Sequence, residues 1–174
     1  MATSSAVNPA LVCTSSFAPL PASTLRVARS PLCAALLRKA RPDLEVLSAG
    51  FKESGHRAAL PIREAGEGMG VGLDLAEHRS TKVIRLMVDQ ADLVIYMDGG
   101  QRKRLLELCG KMDVGENDDG FYVGVPDPKW KCLAWYVGEQ RIPDPAFLGR
   151  GEAFTAAVQL IARATAVLAE EVGR

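Results

Sequence analysis

The run of residues 91–97, with the sequence ADLVIYM, most constrains what this chain folds into. It is short, mostly apolar and followed by polar and glycine residues, which is the pattern of a buried strand. Asp98, Gly99 and Gly100 follow, and then a segment with leucines at helical spacing. A buried strand that leads directly into a helix predicts a βα unit of a parallel sheet.

Similar patterns recur along the chain. Short apolar runs predict a strand at residues 9–13, which ends on Cys13, and a second strand at residues 44–47. Another strand is expected within residues 111–141. Helices are predicted at four further places, namely residues 30–40, 61–69, 81–88 and 152–172. The first of these starts at Ser30-Pro31, with Ser30 as the N-cap and Pro31 in the first helical position.

This alternation predicts an α/β fold, a three-layer sandwich around a central parallel sheet of about four strands. In such sheets, ligands bind at the carboxyl ends of the strands, near the point where the strand order reverses. Cys13, Ser48, Asp98 and the loop around Asp144 are the candidates for that edge.

Composition excludes several functional classes. The 21 basic and 21 acidic residues balance, so no overall charge favours binding to nucleic acid or an anionic membrane. Four widely spaced cysteines and two histidines argue against a zinc site and a disulfide scaffold. No run of residues approaches the roughly 18 apolar residues of a membrane span. We therefore expect a cytoplasmic protein without metal, cofactor, nucleic-acid partner or membrane association.

Four motifs occur in a characteristic order. They are VCT with RSP (residues 12–14 and 29–31), SAG (48–50), EHRS (77–80) with ADLVIYMD (91–98), and IPDPAF (142–147) before the terminal helix. This order resembles the low-molecular-weight protein tyrosine phosphatase family, which implies its flavodoxin-like fold. The resemblance covers residues 9–172 except an insertion at 16–25 and a variable insert at about 111–141. We expect residues 1–174 to form a single domain with a loose arm at 1–8.

The resemblance implies a phosphatase acting on a phosphorylated protein or a small phosphomonoester. Cys13 corresponds to the nucleophile that forms a cysteinyl-phosphate, and Arg29 to the arginine that binds the phosphate oxygens. Asp144 corresponds to the general acid, with Asp127 in a second Pro-Asp-Pro sequence as a rival. Phe147 corresponds to an aromatic wall beside the substrate.

The same resemblance assigns supporting roles. Thr14, Ser15 and Ser30 correspond to residues of the phosphate-binding loop, and Ser48 and His78 to residues that support this loop through hydrogen bonds.

One departure concerns the spacing between nucleophile and arginine. Arg29 follows Cys13 by sixteen positions, where the family has five intervening residues. Either ten residues (16–25) are inserted after a retained Cys13, or the spacing is retained and Ser23 stands at the nucleophile position. The sequence thus leaves two hypotheses, a phosphatase and a non-catalytic module that binds an anion or a protein partner.

Overall fold

A parallel sheet with the strand order β3-β2-β1-β4-β5 organises the described part of the chain. The computed structural model describes residues 11–15, 27–51, 54–110 and 129–172, and the backbone alone for 11–15. The strands are β1 (Leu11–Ser15), β2 (Val46–Gly50), β3 (Thr81–Lys82), β4 (Leu93–Tyr96) and β5 (Trp130–Cys132). The α/β class is confirmed, whereas the sheet has five strands instead of about four.

Six α-helices connect and follow these strands in the described residues. They are α1 (Arg29–Ala40), α2 (Leu60–Gly68), α3 (Gly72–Glu77), α4 (Arg85–Gln90), α5 (Gly99–Leu108) and α6 (Glu152–Val172). Two short 3₁₀ helices span Leu133–Val137 and Pro145–Phe147. The three-layer arrangement stays a prediction. If both crossovers are right-handed, α1 and α5 lie on opposite faces of the sheet, because the two connections run in opposite directions across it.

In the sheet, the strand order changes direction between the two neighbouring central strands, β1 and β4. From β1 the chain moves through α1 to β2 on one side, and from β4 it moves through α5 to β5 on the other. The carboxyl ends of β1 and β4 therefore form the switch point at which ligands of such sheets bind.

The register of β1 corrects the expected position of Cys13. The strand does not end on Cys13 but continues to Ser15, and Cys13 lies opposite Ser48 in β2 and Ile95 in β4. Asp98 follows Ile95 by three residues, or about 10 Å along an extended strand. By backbone position, Cys13 and Ser48 thus lie within the sheet and Asp98 at its carboxyl edge.

The start of α1 differs from the expected capping pattern. The helix begins at Arg29 and its N-cap is Ala28, which makes no side-chain capping hydrogen bond. Ser30 is the second helical residue, 1% exposed, and its Oγ has no hydrogen-bond partner among the described residues. Pro31 remains in the first turn, where its missing N–H has no helical partner in any case. Ser30 is therefore a packed residue of the first turn and not the cap.

Two other regions differ from the sequence prediction. Residues 81–88 were expected to be one helix but contain β3 and the start of α4, and α3 was not predicted. Part of the expected variable insert, 129–141, contributes β5 and the 3₁₀ helix Leu133–Val137 to the buried core. The arm 1–8, the insertion 16–25 with Ser23, and Asp127 lie outside the described residues.

α6 confirms the predicted helix at both ends. One of its faces carries the buried residues, which include Val158, Ile161 and Leu168, and it packs against α1 and the 3₁₀ helix Leu133–Val137. α6 is also long and apolar enough to cross a membrane, a criterion that core helices of soluble proteins meet as well.

Adjacent residues of α6 provide a test of this packing. Leu168 is fully buried, so Leu168→Ala leaves a cavity and should lower the free energy of unfolding by about 2–5 kcal/mol. Val167 is 45% exposed, and Val167→Ala should change it by less than about 0.5 kcal/mol. Urea unfolding measures both values, and equal losses in the two variants would contradict the observed burial of the helix.

Candidate active site

Arg29 is a buried cation at the carboxyl edge of the sheet. Its side chain is 4% exposed, and Nη1 donates hydrogen bonds to Oδ2 of Asp98 at 3.0 Å and to the carbonyl oxygen of Ile142 at 2.8 Å. Burial of an unpaired charge is costly, so these acceptors are needed to keep the guanidinium inside the protein. The start of α1 is thereby joined to the end of β4 and to the loop before Pro143.

Asp144 lies on another side of the same guanidinium. Its Oδ2 is 3.5 Å from Arg29 Nε, and its Oδ1 accepts a hydrogen bond from the backbone N–H of Ala146 at 3.1 Å. The second contact makes Asp144 the N-cap of the 3₁₀ helix Pro145–Phe147. Burial raises the pKa of Asp144 above its usual value, although the charge of Arg29 and the Ala146 N–H oppose that rise.

Asp98 has two roles. It is the N-cap of α5, because its Oδ1 accepts the N–H of Gln101 at 3.0 Å. Its other oxygen accepts from Arg29, a contact that sequence reasoning missed. No local pattern signals this ion pair, since the two residues are 69 positions apart.

These groups line one cavity of about 590 Å³. Arg29, Asp144 and Phe147, three residues singled out in the sequence, all contribute to its wall. Phe147 is 45% exposed, so part of its ring is available to a ligand. Gly99 and Gly100 at the start of α5 and the exposed Arg141 also line this cavity. The cavity thus combines a cation, an acid of raised pKa and an aromatic surface.

The proposed nucleophile and its neighbours are described only in part. Cys13, Thr14 and Ser15 lie on β1, at the centre of the sheet, and the structure describes their backbone but not their side chains. The other cysteines, Cys33, Cys109 and Cys132, are buried. Burial raises the pKa of the Cys132 thiol to about 11.

Ser48 and His78 were predicted to support the phosphate-binding loop. Ser48 is buried on β2 opposite Cys13. His78 follows α3 and is half-buried, and its Nε2 has no hydrogen-bond partner among the described residues. Burial lowers the pKa of His78, and the nearby cation of Arg38 lowers it further. The supporting hydrogen bonds of both residues stay a prediction.

Comparison with known proteins identifies the family. The family model described as low molecular weight phosphotyrosine protein phosphatase matches residues 22–174, most of the chain. The chain belongs to this family. The matched region begins at residue 22, whereas the resemblance seen in the sequence begins at residue 9. The match therefore includes Ser23 but not Cys13.

The curated relatives of this phosphatase-family chain include a probable low molecular weight protein-tyrosine-phosphatase, EpsP, of Ralstonia nicotianae and its counterpart in Ralstonia solanacearum. Each is 38% identical over 80 residues, which are 45% of this chain and 54% of the relative. The match thus spans about half the length of these relatives.

Solved structures show the same fold for the phosphatase-family chain. The tyrosine phosphatase amsI of Erwinia amylovora has a TM-score of 0.72 at 20% identity, over 100% of this chain and 99% of its own. Wzb of Escherichia coli K30, solved with sulphate, has a TM-score of 0.71 at 24% identity, over 95% and 99%. Wzb of Vibrio vulnificus, solved with benzylphosphonate, has 0.70 at 24% identity, over 94% and 98%.

The lowered pKa of His78 predicts a pH dependence of stability. The folded protein binds a proton at His78 less readily than the unfolded chain, whose pKa is about 6.5. The free energy of unfolding should therefore be greatest above this pH and fall as the pH drops below it. His78→Gln should flatten the fall between pH 7 and 5, measured by urea unfolding at each pH. His56→Gln removes the only other histidine and serves as the control. If it flattens the pH dependence of the free energy of unfolding as much as His78→Gln does, the assignment to His78 is wrong.

Proposed function

We propose that this protein hydrolyses phosphomonoesters of the phosphotyrosine type in the cavity lined by Arg29, Asp144 and Phe147. The observation that carries the proposal is that one cavity collects these three residues from the start of α1 and the loop before α6. The substrate is a phosphorylated protein or a small phosphomonoester, as family membership implies. We further propose a cytoplasmic location, which the wide spacing of the four cysteines along the sequence favours.

Asp144 supplies the acid of this reaction. It gives a proton to the leaving oxygen as the ester P–O bond breaks, and in the second step it accepts a proton from the water that attacks the phosphoenzyme. An acid serves best when its pKa lies near the working pH, and burial moves the pKa of Asp144 upward in that direction. Its hydrogen bond from Ala146 N–H fixes the carboxyl group, with Oδ2 towards Arg29.

Arg29 supplies the cation that faces the transferred phosphoryl group. Asp98 and the carbonyl oxygen of Ile142 hold Nη1, which fixes the plane of the guanidinium without a need for reorganisation during the reaction. Charge spread over the equatorial oxygens of the transition state is stabilised by such a fixed donor. Phe147 offers its exposed ring to the aryl group of the substrate.

Cys13 is the nucleophile in this proposal. Its thiolate attacks phosphorus, the aryloxy group leaves with the proton from Asp144, and hydrolysis of the S–P bond then releases phosphate and restores the thiol. Ser23 is the alternative, since it keeps the family spacing to Arg29 and lies inside the family match. An ester formed on Ser23 would be an O-phosphoserine and not a thiophosphate.

The role of Asp144 is tested with p-nitrophenyl phosphate and an aryl phosphate with a poorer leaving group. Asp144→Asn keeps a capping side chain for the 3₁₀ helix but removes the proton, so kcat for the poorer leaving group should fall by about 10²–10⁴. Asp127→Asn, in the rival Pro-Asp-Pro sequence, is the matched control and should retain kcat. The reverse result would assign the acid to Asp127.

The identity of the nucleophile is tested by alkylation and trapping. Because Cys33, Cys109 and Cys132 are buried, iodoacetate should label one residue in the native protein, and this residue should be Cys13. Inorganic phosphate should slow the labelling, and Cys13→Ser should abolish both labelling and turnover. Turnover that survives Cys13→Ser but is lost in Ser23→Ala would replace Cys13 by Ser23.

A second candidate function is a non-catalytic module of the same fold. It is favoured by the hydrogen bonds that commit Arg29 Nη1 to internal acceptors and by the continuation of β1 beyond Cys13. In this case the cavity binds an anion or a protein partner and no phosphoenzyme forms. Phosphate binding by calorimetry, together with the absence of turnover in the wild-type protein, would support this function over hydrolysis.

A further inference from the structure

A second cavity, of about 540 Å³, lies on the other side of the 3₁₀ helix Pro145–Phe147. It is formed where the start of α2 meets Pro145, Ala146 and the first turns of α6. This volume falls within the range of about 300–1,000 Å³ found for small-molecule sites. Asp144 and Phe147 line the first cavity, whereas Pro145 and Ala146 line the second, so one short segment separates two spaces.

The wall of the second cavity is apolar over about half of its surface. Ala58, Ile62 and Ala146 form its buried floor, with exposures of 2%, 0% and 6%. Phe154 of α6 adds an aromatic surface, and Leu60 is 51% exposed although it lies at the start of a helix. An apolar ligand body entering here would cover hydrocarbon that water now contacts, which is the main source of affinity in such sites.

The ionisable groups of the lining are basic residues. They are His56, Arg57 and Arg150, and no aspartate or glutamate belongs to the described lining. Arg150 is bound by Glu64, whose oxygens lie 2.9 and 3.1 Å from its Nη2, so its charge is compensated. Arg57 is exposed and forms no ion pair with any described residue. The available charge of the cavity is therefore the positive charge of Arg57.

We propose that the second cavity is a binding site for a small aromatic or aliphatic anion, a carboxylate or sulfonate, whose apolar body contacts Leu60 and Phe154 and whose charge faces Arg57. The site is separate from the phosphate-binding cavity, and its occupation does not depend on the proposed hydrolysis.

Binding at this site acts on Asp144 through the segment between the cavities. Ala146 lines the second cavity, and its N–H donates the hydrogen bond to Asp144 Oδ1. A ligand that rests against Ala146 thus contacts the residue that orients the carboxyl group in the first cavity. Coupling between two sites requires such a shared element and is reciprocal, so ligands of the two cavities should change each other's affinity equally.

The test compares 2-naphthoate with its neutral isostere 2-naphthamide, by isothermal titration calorimetry on the full chain. The wild-type protein should bind the anion more tightly, by up to about fivefold, as expected of one exposed charge pair. Arg57→Gln should remove this preference without a change in naphthamide affinity. Leu60→Ala should weaken both ligands to the same extent, because it removes contact with the shared ring system.

A matched control distinguishes the two cavities. Arg141 is the exposed arginine of the first cavity, and Arg141→Gln should leave the preference for naphthoate unchanged. Loss of the preference in Arg141→Gln and its survival in Arg57→Gln would place the ligand in the first cavity and overturn the proposal. Equal affinity of the two ligands for the wild-type protein, or no binding of either, would overturn it as well. Near-ultraviolet circular dichroism verifies that each variant is folded.

Discussion

The ion pairs of Arg29 are the interaction on which the candidate site depends. A guanidinium that is 4% exposed has lost most of its hydration, and the cost of that loss is offset only by close acceptors. Asp98, Asp144 and the Ile142 carbonyl come from segments 69 to 115 positions away in sequence. The cluster therefore forms only when α1, the end of β4 and the loop before α6 are all in place. Loss of Asp98 would remove the carboxylate that accepts from Arg29 Nη1 and loosen the cavity wall.

In the proposed function, the same cluster links substrate binding to protonation. Two carboxylates face one buried guanidinium, so with both ionised the cluster carries a net negative charge that opposes a phosphate dianion. Protonation of Asp144 removes this excess, and the burial that raises its pKa makes the neutral form more accessible. The protonation state that admits the anion is thus also the state in which Asp144 can donate to a leaving group. A binding module would use only the first of these properties, whereas a phosphatase uses both.

Periodic patterns made much of the fold predictable. The apolar face of α6 fixed its limits at Glu152 and Val172, and the apolar run before Asp98 gave β4. Short elements carried too little local signal: α3 has six residues and β3 has two, and β3 exists only because Ala49 and Gly50 of β2 are there to pair with it. Likewise, Ser30 has the composition of a cap, but packing draws it into the first turn and Ala28 takes the N-cap position.

The site residues that belong to sequence motifs could be predicted. The contacts between residues far apart in sequence, such as the ion pair of Arg29 and Asp98, could not. Arg29, Asp144 and Phe147 could be named from the motifs, and the structure places them around one cavity. The register adds a constraint that no motif contains, since it sets Cys13 level with Ile95, three residues before Asp98. To reach the cavity edge, a nucleophile must therefore span that distance from β1 or come from the chain between Ser15 and Val27. Cys13 is the candidate on β1, and Ser23 is the candidate between Ser15 and Val27. The choice between them therefore depends on whether the thiol of Cys13 can approach the cavity from its position on the strand.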